Sequence, residues 1–410
     1  MDKELKTKLI QLGLFIATVF TATWTGAEMM YGRSMWSEPN GLSWSEFWDG
    51  LTYSIPFLLI LTAHEFGHYF TALKNNVKVS LPYYIPMPIT MIGTMGAFIR
   101  IKDKIKSNKV TFDVGIAGPL AGFVLALFVL YFGFTNLPDR EHIFEIHPEY
   151  EMFGLDYENH VYEKDTFFLV SEFAKINPEA AAVYDIDTVW LGPSHQMSMV
   201  MGSNMIMDFF KSTIVSKEDQ HKIPNPYEIM HYPLLLGGFW ALFFTSLNLL
   251  PIGQLDGGHV LYGLVGNKRH RIISPIIYML FLGFAGLGTG FMGFFNPFDF
   301  SQDSSSLIIA LLAYALLIYY LLEKIEGTRQ TKLMYTMIII AVQYLIIVIW
   351  PHAEGYPSWF FFAFLIGRFL GVYHPPSEIE EPLSLNRQIL GWLALVIFLL
   401  CASPKPIMIV

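Results

Sequence analysis

The sequence predicts an all-α membrane protein that crosses the bilayer several times. Of its 410 residues, 53% are hydrophobic and 15% are charged, a balance that does not suit a water-soluble domain. Uncharged apolar runs long enough for transmembrane helices recur along the chain. One run contains two histidines and a glutamate at metal-binding spacing, and ionisable groups in such a position indicate a functional site.

Charge and cysteine content exclude several classes of protein. The net charge is −9 and is unevenly distributed, and nothing in the sequence supports nucleic-acid binding. The single cysteine, Cys401, excludes an intrachain disulfide and a zinc site built from cysteines. It does not identify the compartment.

The first apolar run, residues 9–27, follows a short charged lead and is expected to be an uncleaved transmembrane helix. The alternative is a signal peptide, but the run is long and has no evident cleavage site of small residues. Residues 28–49 form a loop with several acids and one basic residue, Arg33. The second span then covers residues 51–74.

The second span carries an HExxH motif formed by His64, Glu65 and His68. Positions i and i+4 share a face of a helix, so both imidazoles can bind one metal ion with the glutamate beside it. Two histidine ligands and a carboxylate that accepts a proton are the arrangement of zinc hydrolases. A chance match is the alternative, but it gives no reason to keep a glutamate in hydrocarbon.

A third ligand has to come from a distant segment. Lys74 stands where one extended soluble motif needs a histidine, and the next glutamate along the chain is Glu141. The best candidate is Asp256, in residues 240–259, where Pro251 breaks an apolar run just before the acid. Broken helices at membrane depth are tolerated where they line a buried site.

Loop charge predicts which side of the membrane the site is nearer to. Residues 74–110 contain one acid, Asp103, and seven basic residues: Lys74, Lys78, Arg100, Lys102, Lys104, Lys106 and Lys109. The positive-inside rule places this loop in the cytoplasm or its organellar equivalent. His64 lies ten residues before the loop, so the metal is expected roughly 15 Å below that surface.

The same loop contains a predicted strand. Residues 77–88 are apolar and interrupted by prolines, whereas residues 96–102 alternate as a strand does. We expect Gly96, Ala97, Phe98 and Ile99 to present a strand edge that pairs with an unwound substrate segment. A local hairpin that only plugs the site is the alternative.

The third span, residues 111–134, opens with a series of glycines. Gly115, Gly118 and Gly122 follow one another at intervals of three and four residues. Small residues at this spacing let helices approach closely in lipid. We therefore expect these glycines to serve helix packing.

Two motifs together resemble those of the site-2 protease family of intramembrane zinc metalloproteases. HEFGH is one, and NLLPIGQLDGG fills the family pattern NxxPxxxxDG with Asn248, Pro251, Asp256 and Gly257. The segments GTMGAFIR and GIAGPLAG, between the motifs, resemble the family's membrane-associated β segment and the start of its third core helix. The nearest group contains chloroplast and bacterial members. Together the matches cover about residues 47–135 and 231–265.

The resemblance implies a three-helix catalytic core with additional transmembrane helices around it. It implies one Zn²⁺ held by His64, His68 and Asp256, with Glu65 as the proton acceptor. Asn248 is expected to hydrogen-bond the substrate or the oxyanion, or else to serve helix packing. His259 follows Asp256 by three residues and is left out of the ligand set.

Four regions are predicted. Residues 1–135 are the first membrane half, 136–230 an acidic extracytoplasmic insertion with a small folded cap, 231–270 the broken helix, and 271–410 further transmembrane helices. A methionine-rich stretch, residues 197–210, is expected on the membrane surface or over the site. Scattered histidines of the insertion are interpreted as ordinary surface residues: His142, His147, His160, His195 and His221.

The function predicted from these observations is intramembrane zinc-dependent proteolysis. The expected partners are a transmembrane protein substrate and the lipid bilayer. A bacterial plasma membrane is expected, with an organelle membrane as the alternative. A metal transporter with an intramembrane metal site and an inactive scaffold that binds transmembrane segments are the alternative functions. The substrate's identity and the oligomeric state are left open.

Overall fold

The computed structural model describes residues 2–37, 41–88, 91–162, 199–288, 298 and 304–409. Within these ranges the chain is mostly helical, and its few strands form two small sheets. Three of the described helices are long and apolar enough to cross a membrane: Glu4–Tyr31, Asn108–Thr135 and Arg329–Ile349. The expected all-α integral membrane fold is confirmed.

The chain begins with α1 (Lys3–Tyr31), α2 (Trp44–Asp49) and α3 (Leu51–Lys74). The first helix ends at Gly32, whose φ of 62° is the left-handed conformation that glycine adopts at helix ends. The third helix contains the HExxH motif and has the predicted limits. It is not among the three spanning candidates, because its histidines and glutamate reduce its mean hydropathy.

A two-stranded antiparallel sheet follows α3. It consists of β1 (Tyr83–Pro86) and β2 (Thr94–Phe98), with Tyr83 opposite Phe98. The predicted strand was residues 96–102, so the observed one starts earlier and ends earlier. The two facing rings stack with centroids 5.5 Å apart, a cross-strand contact of the kind that stabilises small sheets.

Helix α4 (Asn108–Thr135) packs directly against α3. Ser107 caps its first turn by accepting a hydrogen bond from the Lys109 backbone. The contact is close: a Cβ at Gly67 of α3 would lie 2.5 Å from the backbone oxygen of Ala117 in α4. Glycine is therefore required at this crossing.

Residues 136–162 and 199–230, between α4 and the second half of the chain, form a region that we call the cap. It contains α5 (His142–Ile146), a 3-10 helix (Pro148–Asp156), α6 (Tyr157–Val161), β3 (Met199–Met201) and α7 (Met205–Phe209). The folded unit was predicted between residues 138 and 191, and its residues 163–191 lie outside the described residues, as do residues 197 and 198 of the methionine-rich stretch.

The second half of the chain starts with α8 (Pro233–Leu249) and α9 (Asp256–Ala285). Helix α9 is kinked at Gly266 and runs through the boundary predicted at residue 270. The remaining elements are α10 (Ser304–Leu321), α11 (Arg329–Ile349), α12 (Trp359–Leu365), α13 (Leu385–Cys401) and β4 (Ile407–Ile409). Strand β4 pairs with β3.

Residues 371–384, which precede α13, form an extended segment that we call the strap. Ion pairs hold it against the loop before α4 and the first turn of that helix: Lys104 lies 3.0 Å from Glu378, and Lys109 pairs with Glu381. Just after the strap, in the first turn of α13, Arg387 binds both carboxylate oxygens of Asp113 at 2.8 Å, the bidentate geometry that is strongest for arginine. The strap thus covers one end of α4.

Candidate active site

Three ligand-type side chains from two helices converge inside the bundle. The Nε2 atoms of His64 and His68 on α3 lie 3.0 Å apart. The Oδ2 atom of Asp256, the first residue of α9, lies 3.5 Å from the first of these nitrogens and 3.3 Å from the second. Both imidazoles are buried. Among the described residues this is the one group of three such side chains close enough to share an ion.

The spacing of these three atoms fits zinc. A tetrahedral zinc ion with bonds of 2.0–2.1 Å holds its ligand atoms about 3.3 Å apart, close to the three separations observed. The Nδ1 atom of His68 lies 2.7 Å from the carbonyl oxygen of Val114. A carbonyl only accepts, so Nδ1 carries the hydrogen and Nε2 presents its lone pair to the metal position.

A tight turn between α8 and α9 places Asp256. Gly253 adopts a φ of 57° in this turn. A Cβ at Gly257 would lie 1.9 Å from the backbone oxygen of Leu249, so the two helix ends approach as closely as they do only with glycine. Ser274 accepts a hydrogen bond from the Gly253 N–H at 2.9 Å. Its hydroxyl donates in turn to the strap carbonyl of Val372 at 2.6 Å.

The glycines of α4 lie against the two histidines. A Cβ at Gly118 would lie 2.2 Å from Nε2 of His68, and one at Gly122 would lie 3.2 Å from Cβ of His64. In the structure these glycines therefore leave space for the imidazole rings of α3 as well as for the helix backbone.

Glu65 and strand β2 face the same space as the proposed ligands. A cavity of about 490 Å³ is lined by His64, Glu65, His68 and Asp256, and also by Gly96, Ala97, Phe98 and Ile99. The backbone of Ile99 lies close to the Glu65 carboxylate. A Cβ at Gly96 would meet no atom within 4 Å, so this part of the strand borders open space.

Asn248 lies near the end of α8 and also borders the cavity. Its Nδ2 atom is 3.4 Å from Nε2 of His64. The side-chain amide therefore lies beside one of the ligand-type nitrogens.

A histidine pair that sequence reasoning missed adjoins the cavity. The strap residue His374 places its Nε2 atom 2.8 Å from Nδ1 of His259, a cavity-lining residue. The Nδ1 atom of His374 lies 2.6 Å from the carbonyl of Pro375 and so carries the hydrogen. His374 therefore accepts from His259, whose own Nε2 atom presents a lone pair. The two residues are 115 positions apart, so no local pattern could have paired them.

Comparison with known proteins gives a consistent result. The sequence profile described as peptidase family M50 matches residues 52–289. A protein named probable zinc metalloprotease EGY1, chloroplastic, from Oryza sativa subsp. japonica is 26% identical over 236 residues, which are 58% of this chain and 31% of that protein. Its namesake from Arabidopsis thaliana is 26% identical over 238 residues, 58% of this chain and 33% of that protein.

A more distant relative is the probable zinc metallopeptidase EGY3, chloroplastic, from Arabidopsis thaliana, which is 23% identical over 236 residues. That match covers 56% of this chain and 32% of the relative. The matched part thus spans about a third of the length of these curated relatives. No solved structure matches the chain.

Proposed function

Because the chain belongs to peptidase family M50, we propose that it is a zinc-dependent endopeptidase that cuts membrane proteins within or beside their transmembrane segments. The observation that carries this proposal is the convergence of His64, His68 and Asp256 next to Glu65 in one cavity. The relatives named as zinc metalloproteases support the same chemistry. The chain's mostly apolar helices supply the bilayer setting.

His64, His68 and Asp256 would hold the zinc ion. When bound, zinc acts as a Lewis acid toward the scissile carbonyl and makes water a stronger nucleophile. The Val114 carbonyl orients the His68 ring by accepting a hydrogen bond from its Nδ1 atom. The Nε2 atom is thereby left to bind the ion. Such a hydrogen bond behind a ligand is normally part of a histidine metal site.

Glu65 handles the proton of the reaction. Its carboxylate accepts a proton from the attacking water as the water oxygen bonds to the scissile carbonyl carbon. It then delivers that proton to the peptide nitrogen as the carbon–nitrogen bond breaks, which leaves a free carboxyl and a free amine. The backbone of Ile99, the residue after β2, lies close to the carboxylate. A substrate paired with that strand would therefore sit beside the base.

Two alternative roles are proposed for Asn248. Its amide would donate a hydrogen bond to the oxyanion, for which electrostatic stabilisation by a fixed donor is effective. Its 3.4 Å approach to His64 equally suits a role in orienting that ring. In Asn248→Ala the first role predicts a lower kcat with zinc content unchanged, and the second predicts weaker zinc binding.

Strand β2 is the proposed substrate platform. The sheet has two strands, and β1 occupies one edge of β2. Residues Gly96, Ala97, Phe98 and Ile99 border the cavity, so an extended substrate segment could add to the other edge and pass the base. A helical transmembrane substrate would have to unwind locally, because only an extended backbone offers its N–H and C=O groups to a strand edge.

We further propose that the site is nearer the cytoplasmic face and that the membrane is a bacterial plasma membrane. The basic residues of the loop between α3 and α4 support this orientation. Cysteines introduced one at a time at Lys102 and at Glu141, in a chain with Cys401→Ser, test it. A membrane-impermeant maleimide added to intact cells should label the second and spare the first. The reverse labelling would contradict the orientation.

The proposed activity is tested with purified protein in detergent. Bound zinc is counted, and cleavage of a model transmembrane substrate is followed for the native chain, Glu65→Gln and Asp256→Ala. We expect Glu65→Gln to keep its zinc and to lose about 10²- to 10⁴-fold of its activity, the usual contribution of a general base. Asp256→Ala should bind zinc much more weakly at this site and lose cleavage.

Two results would contradict the proposal in different ways. A native protein that is folded but binds no zinc would refute the metal site. Zinc bound without cleavage of several substrates, and Glu65→Gln behaving like the native chain, would favour the transporter or the scaffold.

A further inference from the structure

A second pair of histidines lies far from the active site, between the cap and the membrane helices. His147 ends α5 in the cap, and His231 comes just before α8. Their Nε2 atoms are 3.4 Å apart, although the residues are 84 positions apart in the chain. The rings meet at 77° with centroids separated by 5.1 Å. We call these two residues the cap pair.

The hydrogen-bond partner of His231 determines which of its nitrogens is available. Its Nδ1 atom lies 2.8 Å from the carbonyl oxygen of Met30, one of the last carbonyls of α1, which have no partner within that helix. A carbonyl only accepts, so Nδ1 carries the hydrogen and Nε2 directs a lone pair at His147. Burial lowers the pKa of His231 to about 4, and the ring is therefore neutral at neutral pH.

The geometry of the cap pair repeats that of the histidines in α3. There, the Nε2 atoms of His64 and His68 are 3.0 Å apart, their rings meet at 75°, and one Nδ1 atom donates to a backbone carbonyl. Both Nε2 separations lie close to the value of about 3.3 Å set by a shared tetrahedral ion. The distance of 3.4 Å in the cap pair is longer than the usual range of a nitrogen hydrogen bond.

The surroundings give an ion access and hold the rings in place. His231 is buried, with 4% of its surface exposed, whereas His147 is only partly buried and so leaves a route from solvent. Tyr150 stacks on the His147 ring at 4.6 Å and 13°, which restricts its orientation. Gly32, at the end of α1, lies beside both rings, and a Cβ there would be 3.6 Å from the nearest ring atom.

We infer that His147 and His231 form a second metal site, which takes a borderline divalent cation of the zinc class through their two Nε2 atoms, with water as the other ligands. Imidazole is a preferred ligand of such ions. The bound ion would join the cap to the ends of α1 and α8. This site goes beyond the proposed peptidase function and does not depend on it.

The experiment counts zinc in the full-length protein. The chain is purified in detergent, stripped with a chelator and equilibrated with Zn²⁺ alone. We expect about two ions per native chain, one at each site, and about one in His231→Ala and in His147→Ala. His221→Ala, an exposed histidine of the same region, is the matched control and should keep both ions.

A second set of variants isolates the cap pair. With His64→Ala and His68→Ala together, about one ion should remain, and adding His147→Ala should remove it. Zinc should also raise the melting temperature of the double variant through preferential binding to the folded chain, and this rise should vanish in the triple variant. Because His147 is the less buried of the two, its replacement keeps the test valid if His231→Ala does not fold.

Either of two results would overturn the inference. In one, native protein saturates with a single ion that His231→Ala and His147→Ala both retain. In the other, a second ion is bound but survives loss of either cap histidine. The cap pair would then be a hydrogen-bonded contact only.

Discussion

The cap pair and the histidine pair of α3 have almost the same internal geometry but different surroundings. In each, two Nε2 atoms lie near the spacing of a shared ion, and one ring is fixed through Nδ1 on a backbone carbonyl. Within the described part of the chain, only the α3 pair has a carboxylate within reach, Asp256, and a glutamate beside it that faces a cavity. Among the described residues, no third side chain of ligand type joins the cap pair.

The difference shows what the proposed peptidase site requires beyond the proposed cap site. Each pair offers two imidazoles at a distance that suits one ion, but hydrolysis also needs a base and space for a substrate. The base is Glu65, on α3 itself, β2 lines the cavity, and Asp256 at the start of α9 adds a third ligand. Among the described residues the cap pair has no such partners, so the proposed cap site only binds.

The largest effect is expected from Asp256→Ala, which removes the carboxylate and leaves the α3 site with its two histidines alone. We expect its zinc affinity to fall by more than about 100-fold, since loss of an outer partner alone costs 10- to 100-fold, and cleavage to be lost with it. Titration with zinc, together with the cleavage assay, measures both. Asp103→Ala, in the loop between α3 and α4, is the control and should change neither. Unchanged affinity in Asp256→Ala would exclude this carboxylate as a ligand.

A second difference is that the α3 pair packs against two glycines of α4, Gly118 and Gly122. In Gly118→Ala the new Cβ would overlap Nε2 of His68 at 2.2 Å, so the imidazole must leave its position. We expect zinc affinity at this site and cleavage to fall by about 100-fold, while zinc at the cap pair stays bound. Gly13→Ala, whose Cβ would meet nothing within 4 Å, should leave both sites unchanged. Full activity in Gly118→Ala would show that α4 can shift to accommodate the added methyl group without displacing His68.

Much of the active site could be predicted because its residues lie in short motifs. His64 and His68 occupy one helix turn, and their placement on a shared face follows from helix periodicity alone. Asp256 could be suggested because Pro251 and the glycines around it indicate a broken helix. Family resemblance supplied the pairing of the two segments. The structure places all three side chains within reach of one ion.

The remaining contacts could not be predicted because tertiary folding alone brings them together. His147 was interpreted as a surface residue, yet it meets His231 across 84 positions, and His374 meets His259 across 115. None of these residues shares a periodic pattern with its partner. The predicted and observed limits of β2 differ for a related reason. Where the strand begins and ends depends on its pairing with β1 as well as on the local alternation of residues.

A carboxylate introduced beside the cap pair would make it more like the α3 site. Gly32 ends α1 beside both rings, with a built Cβ 3.6 Å from Cε1 of His231 and 3.8 Å from Nε2 of His147. Its φ of 62° is one that aspartate tolerates better than most residues. We expect Gly32→Asp to raise zinc affinity at the cap pair by about 10- to 100-fold, as measured in the His64→Ala, His68→Ala background.

Gly32→Asn is the matched control because it has the same shape and the same tolerance of the left-handed conformation, but no charge. It should increase affinity by less than the aspartate does. Equal affinity in both variants and in the parent would show that no ion lies between the rings.

The smallest effect is expected at the third histidine pair, which differs from the other two in kind. His374 accepts from His259 at 2.8 Å, a normal hydrogen-bond distance, so no ion is needed between them. His374→Ala should therefore leave the zinc count at both sites unchanged, unlike His231→Ala. Without its acceptor the His259 ring can turn, and we expect kcat to fall by about tenfold, the lower end for loss of an outer partner. His374→Gln offers an acceptor again and should recover most of the rate. Loss of a zinc ion in His374→Ala would place this pair with the metal-binding ones, and the distance of 2.8 Å could then no longer distinguish a hydrogen bond from a shared ion.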